Sequence, residues 1–311
     1  MRVASIDIGT NTVLLLIAEQ AADGTLVAIE EHATITRLGQ DVDRTRVLAP
    51  EAIARTTSCL NRYAELVKAA GVQRIAVVGT SAMRDARGGE AVRAHVQTVL
   101  GVDARVISGD EEARVSFAGT ISGLGYDEGS GDIAIFDIGG GSTEVVIGRP
   151  PATIAYAHSF DVGSVRLTER HVKSDPPTKA DLDAVRRDAR RAFADVPLIA
   201  EGTLPVGVAG TMTTLASIAM GLATYDSARV HGYVMETREL ADVVERLAAV
   251  PVEERRNITG LEPKRADVIV AGGLVAQALL ERWEAAAVRV SDRGVRWGLA
   301  QALADAPPYA T

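Results

Sequence analysis

The sequence predicts an α/β protein of two like-folded domains with mixed sheets. Three observations predict it: one strand–turn–strand unit that occurs twice, alternating helix and strand patterns after each copy, and a length of 311 residues, enough for two domains with separate cores. Residues 4–17 can be laid over residues 134–147, and from Asp7 and Asp137 onward the copies match without a gap. Each copy is an apolar strand ending in Asp, a tight turn of Gly and small polar residues, and a second apolar strand. That is a β-hairpin whose turn exposes backbone N–H groups beside a carboxylate.

After the first hairpin, 52–70 reads as a helix, 74–78 as a buried strand, 89–100 as a helix and 104–107 as a strand. After the second, 178–194 reads as a helix, 204–208 as a strand, 213–221, 236–249 and 265–281 as helices, and 287–290 as a strand. Gly123, Gly125, Gly129 and Gly131 cluster with Asp127 and Asp132, which puts the boundary there and the domains at 1–125 and 126–311, with the last helix free to pack back on the first domain. Thr178 followed by Asp181 caps the helix after Pro176-Pro177, and the tail 306–311 is expected to fray.

Composition narrows the function classes. Hydrophobic residues at 47% and charged residues at 24% describe a globular chain, and a net charge of −8 argues against coating nucleic acid or anionic membrane. The single cysteine, Cys59, excludes a disulfide within the chain and a Cys-based zinc site, and is expected to be a buried apolar residue. No signal peptide precedes residues 1–4 and the apolar run 13–18 is too short to span a bilayer, so the cytoplasm is expected. All but four of the 33 basic residues (Lys68, Lys173, Lys179 and Lys264) are arginine. Most of Arg186, Arg187, Arg190 and Arg191 point away from the stripe Leu182, Val185, Ala189 and Phe193, which reads as a solvated face, with a track for a polyanionic chain as the alternative.

The turns carry the chemistry. No Gly-x-x-x-x-Gly-Lys-Ser/Thr run exists, and Glu144 breaks a Gly-x-Gly-x-x-Gly fingerprint at the second turn. What remains is Asp7 with Gly9, Thr10, Asn11 and Thr12, and Asp137 with Gly139, Gly140, Gly141 and Ser142. Glycine lets backbone approach phosphate oxygens while Thr10, Asn11 and Ser142 add donors. The aspartates would repel a bare phosphate, so a hard cation belongs with them, and Mg²⁺ fits, with Mn²⁺ as its substitute. Glu111 and Glu112 fall in the first turn of a helix from about Glu111 to Gly119, where the helix N-terminus favours ionised carboxylates.

Asp7-Ile8-Gly9-Thr10-Asn11-Thr12, Thr80-Ser81-Ala82-Met83-Arg84-Asp85-Ala86, Ser108-Gly109-Asp110-Glu111-Glu112-Ala113-Arg114 and Asp137-Ile138-Gly139-Gly140-Gly141-Ser142-Thr143-Glu144 occur in that order. They are followed by Gly163-Ser164-Val165-Arg166-Leu167-Thr168-Glu169, Ala209-Gly210-Thr211 and Ser291-Asp292-Arg293-Gly294-Val295-Arg296. Together they resemble the exopolyphosphatase/guanosine pentaphosphate phosphohydrolase family in its short, two-domain form, over nearly the whole chain. The resemblance implies two actin-like (ribonuclease H-like) domains with the active site in the cleft between them. It implies Glu112 as catalytic base, with Glu111 as alternate, Arg84, Ser164, Arg166, Gly210 and Thr211 as substrate contacts beside the two turns, and Asp7, Asp137 and Glu144 as metal ligands.

The activity implied is release of orthophosphate from the end of inorganic polyphosphate. The same machinery suits guanosine pentaphosphate 5′-phosphohydrolysis; an actin-like small-metabolite kinase and a nucleotide-dependent filament protein are more distant readings. Aromatic residues at 4% favour polyphosphate over a nucleotide, and Trp283 and Trp297 lie far from both turns in sequence. The resemblance further implies a homodimer, guanosine pentaphosphate or ATP/ADP as additional ligands, and neither nucleic acid nor membrane as partner. The five histidines are scattered, none is followed by Asp, and the chain ends before a His-Asp domain of the longer family members would begin.

Overall fold

The computed structural model describes residues 1–127 and 129–306. The chain divides into two compact units, residues 1–119 joined by the segment from Val295, and residues 120–294. In the first unit β1 (Arg2–Ile8), β2 (Thr12–Gln20) and β3 (Leu26–Ile35) form an antiparallel meander. There follow α1 (Val42–Thr45), α2 (Pro50–Ala69), β4 (Arg74–Gly79), α3 (Ser81–Asp85), α4 (Gly89–Leu100), β5 (Ala104–Val106) and α5 (Gly109–Ile121). The sheet order is β3-β2-β1-β4-β5, with β4 and β5 parallel to β1. Strand β1 is buried on both faces from Val3 to Ile8 and is mainly apolar there, broken by Ser5 and Asp7, whereas edge strand β3 mixes Glu30, Glu31 and His32 with apolar residues.

The second unit repeats this plan. Strands β6 (Ile133–Ile138), β7 (Thr143–Arg149) and β8 (Thr153–Phe160) form its meander. Helices α6 (Ser164–His171) and α7 (Lys179–Ala192) lead to β9 (Val206–Val208), α8 (Ala209–Ala219), α9 (Ser227–Val230) and β10 (Val234–Glu236). Then come α10 (Thr237–Ala248), α11 (Val252–Arg255), α12 (Ile269–Arg282) and β11 (Ala287–Val290). The order is β10-β11-β9-β6-β7-β8, so the meander, the central strand and its parallel neighbour occupy the same places as in the first unit. Ile8 pairs with Val13 and Ile138 with Thr143, so both hairpins close in the same register. These are the two like-folded α/β domains with mixed sheets that the repeat implied.

The last helix, α13 (Val295–Asp305), groups with the first unit, the return that the sequence reading left open for it. The reason lies in the alternation of the sheet. Ala4, Ile6, Ile8, Val13, Leu15 and Ile17 face one core with Leu60, Tyr63 and Val96 of α2 and α4. Val3, Leu16 and Ala18 point the other way, and Trp297, Ala300 and Ala304 cover them. Ser5 Oγ donates to the Arg296 carbonyl at 2.6 Å, and Arg296 and Trp297 both reach Glu31 on β3. The division between the units falls at 119/120, inside α5, against 125/126 in the sequence reading. The glycine-rich stretch follows that helix, and Gly123, at φ +77°, lies under the Arg293 guanidinium.

Other local expectations can be placed as well. Helix α7 opens on a capping box between Thr178 and Asp181, and Val185, Ala189 and Phe193 are buried. Arg186 pairs with Asp183 and Arg190 with Glu281, as suits a solvated face. Cys59 is buried and free. Helix α8 starts at Ala209, four residues earlier than expected, so Ala-Gly-Thr is its first turn and not a loop before it. The expected frayed tail lies outside the described residues from Pro307 onward. Among the described residues no helix is long and apolar enough to cross a membrane.

Candidate active site

In the first unit the Gly9 N–H donates to the Thr12 carbonyl at 3.1 Å, closing the turn, and a Cβ on Gly9 would fall 2.8 Å from that carbonyl oxygen. The remaining carbonyls of the turn face its own unit. Thr10 O accepts from Gly39 N at 2.8 Å, and Asn11 O accepts from Thr36 N and Arg37 N, each at 3.0 Å. Gly39 comes so close that its Cβ would lie 2.3 Å from Thr10 Cγ2. The side chains tell the complementary story. Thr10 Oγ1, both polar atoms of the Asn11 amide and Thr36 Oγ1 are buried with no hydrogen-bond partner. An unsatisfied buried polar atom costs roughly 1–3 kcal/mol, so a cluster of them marks a place built for a polar ligand. Thr36 and Gly39 were not singled out in the sequence, because only folding brings them to the turn.

The second turn is held in the same way. Gly139 N donates to Ser142 O at 3.0 Å. Gly139 O accepts from Ser164 N at 3.0 Å and from Ser164 Oγ at 3.2 Å, and Gly140 O from Val165 N and Arg166 N at 2.9 and 3.0 Å. Gly141 O accepts from Arg166 Nε at 2.6 Å. Gly163 permits the approach, since a Cβ there would sit 2.5 Å from Gly140 O. A trans peptide sets its N–H opposite its C=O, so the N–H groups of Gly140, Gly141 and Ser142 point away from α6. Among the described residues none of the three donates to a protein acceptor. Consecutive outward amides of this kind form an anion-binding nest.

Asp7 and Asp137 are the last residues but one of their strands, beside these turns, and both are almost wholly buried. Asp137 stands directly across the ladder from Glu144, while the equivalent partner of Asp7 is Leu14. Glu144 is 1% exposed and its Oε1 accepts from Ser159 Oγ at 2.6 Å. Directly opposed residues project to one face about 4.5–5.5 Å apart, and two buried carboxylates so placed repel unless a cation or proton joins them. That hard-oxygen donor set fits Mg²⁺. Among the described residues no three His, Cys, Asp or Glu side chains gather where they could hold a metal ion.

The two glutamates of α5 separate clearly. Glu111 is 37% exposed and pairs with Arg105 on the surface, with Ser108 Oγ accepting from its N–H. Glu112 is 7% exposed; its Oε2 accepts from Arg84 Nη1 at 3.0 Å, and the same nitrogen reaches Ile107 O at 3.0 Å. The exposure follows from helix geometry, since adjacent residues point about 100° apart. The first turn of α5 thus presents one carboxylate held by an arginine and one facing solvent.

At β9 the chain passes straight into α8 through Ala209, whose φ of +67° is unusual for a residue with a Cβ. Thr211 Oγ1 donates to Ile138 O at 3.1 Å, which ties this turn to the end of β6. Arg265, which was not singled out in the sequence, lies over Gly210: a Cβ there would fall 2.2 Å from its Nη2. Burial holds this arginine's pKa below its ordinary value, against the opposing influence of Glu262 and Tyr225.

Two α/β units, each with a glycine turn beside a buried aspartate, one with unpartnered side-chain polar atoms and the other with outward amides, point to an enzyme that handles phosphoryl groups. The chain belongs to the Ppx/GppA phosphatase family, whose model matches residues 16–305. It is 40% identical to exopolyphosphatase 2 of Mycobacterium tuberculosis, over 97% of this chain and 98% of that one. It is 29% identical to a guanosine-5′-triphosphate,3′-diphosphate pyrophosphatase of Vibrio atlanticus, over 97% of this chain and 59% of the other. A crystal structure of an exopolyphosphatase-like protein superposes with a TM-score of 0.90 at 34% identity, covering 97% of both chains. The family makes the protein a phosphoric anhydride hydrolase.

Because the Asn11 amide is buried without protein partners, Asn11→Ala is expected to cost the ligand-free protein less than about 1 kcal/mol by urea denaturation, while reducing the stabilisation that added inorganic phosphate confers. A loss above about 2 kcal/mol without ligand would mean that the protein itself satisfies the amide.

Proposed function

We propose that this protein is an exopolyphosphatase that releases orthophosphate from the end of inorganic polyphosphate. The observation that carries hydrolysis, as opposed to transfer to an acceptor, is Glu112: a single buried carboxylate at the start of α5, held by Arg84. A positioned, ionised carboxylate can take the proton of an attacking water. The water oxygen then bonds to the terminal phosphorus, the bridging P–O bond breaks, and the shortened chain leaves with the bridging oxygen. Gly9, Thr10 and Asn11 in the first unit, and the amides of Gly139, Gly140, Gly141 and Ser142 in the second, are donors for phosphoryl oxygens of the substrate. Arg84 adds charge, and Ser164, Gly210 and Thr211 support the binding turns. Asp137 with Asp7 or Glu144 would hold Mg²⁺, or Mn²⁺ in its place, which when bound neutralises charge on the phosphoryl group. Catalysis of this type is positioning plus electrostatics, which suits the residue types present.

Polyphosphate is favoured over guanosine pentaphosphate by the higher identity to an exopolyphosphatase, 40% against 29%, and by an aromatic content of 4%. The enzyme we envisage is a cytoplasmic homodimer, with guanosine pentaphosphate or ATP/ADP as further ligands.

Glu112→Gln should lower kcat on polyphosphate by about 10²–10⁴-fold with the melting temperature preserved. Glu111→Gln, at an exposed ion pair, should stay within about threefold of wild type. If the losses fall the other way round, Glu111 is the base.

In a steady-state comparison at equal Mg²⁺, kcat/KM should be higher for polyphosphate than for guanosine pentaphosphate, and excess chelator should abolish both activities. A clear preference for guanosine pentaphosphate would transfer the assignment to that nucleotide. Full activity in chelator would remove the metal and the roles given to Asp7, Asp137 and Glu144.

A further inference from the structure

Helix α6 begins where an anion would ordinarily be welcome, at a helix N-terminus with free N–H groups. Here those groups are spent on protein. Ser164 N, Val165 N and Arg166 N all donate to the carbonyls of Gly139 and Gly140. The third carbonyl of the turn, Gly141 O, takes its hydrogen bond from the Arg166 side chain, through Nε at 2.6 Å. The first unit solves the equivalent problem without a side chain, since Asn11 O accepts from two backbone amides, Thr36 N and Arg37 N. In the second unit a guanidinium stands where the first uses backbone.

We propose that Arg166 is a positioning residue: it fixes the Gly141–Ser142 peptide so that the Ser142 N–H faces the phosphate, and it does not bind the phosphate itself. The side chain is 4% exposed, so it has almost no surface to present to a substrate. Its Nη2 lies 3.6 Å from Asp161, an ion pair that draws the outer nitrogens toward the loop before α6. Losing the Nε donor leaves a buried carbonyl without its partner, and the peptide is free to rotate its N–H away from the ligand. This role rests on the turn binding phosphate, as in the function proposed above.

Two substitutions separate positioning from direct charge. Glutamine places its amide nitrogen at the same chain position as arginine Nε, keeping the donor and losing the charge. Lysine keeps the charge and puts a methylene at that position. The readout is calorimetric affinity for inorganic tripolyphosphate, with melting temperatures confirming that each variant is folded. Arg166→Gln should bind about tenfold more tightly than Arg166→Lys, the worth of one hydrogen bond to a buried carbonyl. Loss of net positive charge works against the glutamine variant, so the comparison is biased away from the expected result. Equal affinities, or tighter binding by Arg166→Lys, would show that the guanidinium acts on the phosphate directly. Because binding is measured and not turnover, a wild-type protein that binds tripolyphosphate without hydrolysing it would overturn the proposed activity and leave this role intact.

Discussion

A trans peptide cannot turn its N–H toward an anion without turning its C=O away, and a carbonyl turned into protein must find a donor there. Much of the structure around both turns follows from that constraint. The third strand of each meander, β3 or β8, delivers a loop whose amides receive the carbonyls: Thr36, Arg37 and Gly39 in one unit, Ser164, Val165 and Arg166 in the other. Gly39 and Gly163 are glycines because the loops must come within reach of the turns, where a Cβ would overlap Thr10 or Gly140. The hairpin alone would be an ordinary turn. The loop behind it makes it an anion site.

The carboxylates are distributed by the same economy of position. Asp7 and Asp137 lie close to the turns because each stands in the last pair but one of its hairpin. Only the second unit adds an opposed acid, Glu144 where the first has Leu14, so carboxylate is unevenly shared between the copies. Glu112 is separate in kind. It is buried, ion-paired with Arg84 and carried on a helix start, which suits a group that must stay ionised and fixed until a proton is delivered to it. The clamp on the turns and the hold on Glu112 are both arrangements of rigidity, which is what catalysis by preorganised charge demands.

Much of this was legible in the sequence, and the parts that were not have a common cause. The duplicated hairpins announced themselves because strand, Asp and glycine turn are all local signals, and helices such as 50–69 and 89–100 lie within a few residues of their periodicity. Strands β3 and β8 went unread because edge strands carry mixed polar and apolar residues with little period. The unit to which α13 belongs was fixed by Trp297 covering Val3 and Leu16, a contact across nearly the whole chain. Thr36, Gly39 and Arg265 reach the site only through folding, so no spacing marks them. Glu112 was separated from Glu111 in the structure by which side of α5 faces Arg84, whereas in sequence the two are adjacent and alike.

Whether the protein transfers a terminal phosphoryl group to water is decided by hydrolysing polyphosphate in ¹⁸O-enriched water with Mg²⁺ and no acceptor, then analysing the products by mass spectrometry. Attack of a Glu112-activated water on the end phosphorus places one solvent oxygen in each released orthophosphate and none in the shortened chain. Orthophosphate without label, label in the shortened chain, or no release until an acceptor is added would contradict the account.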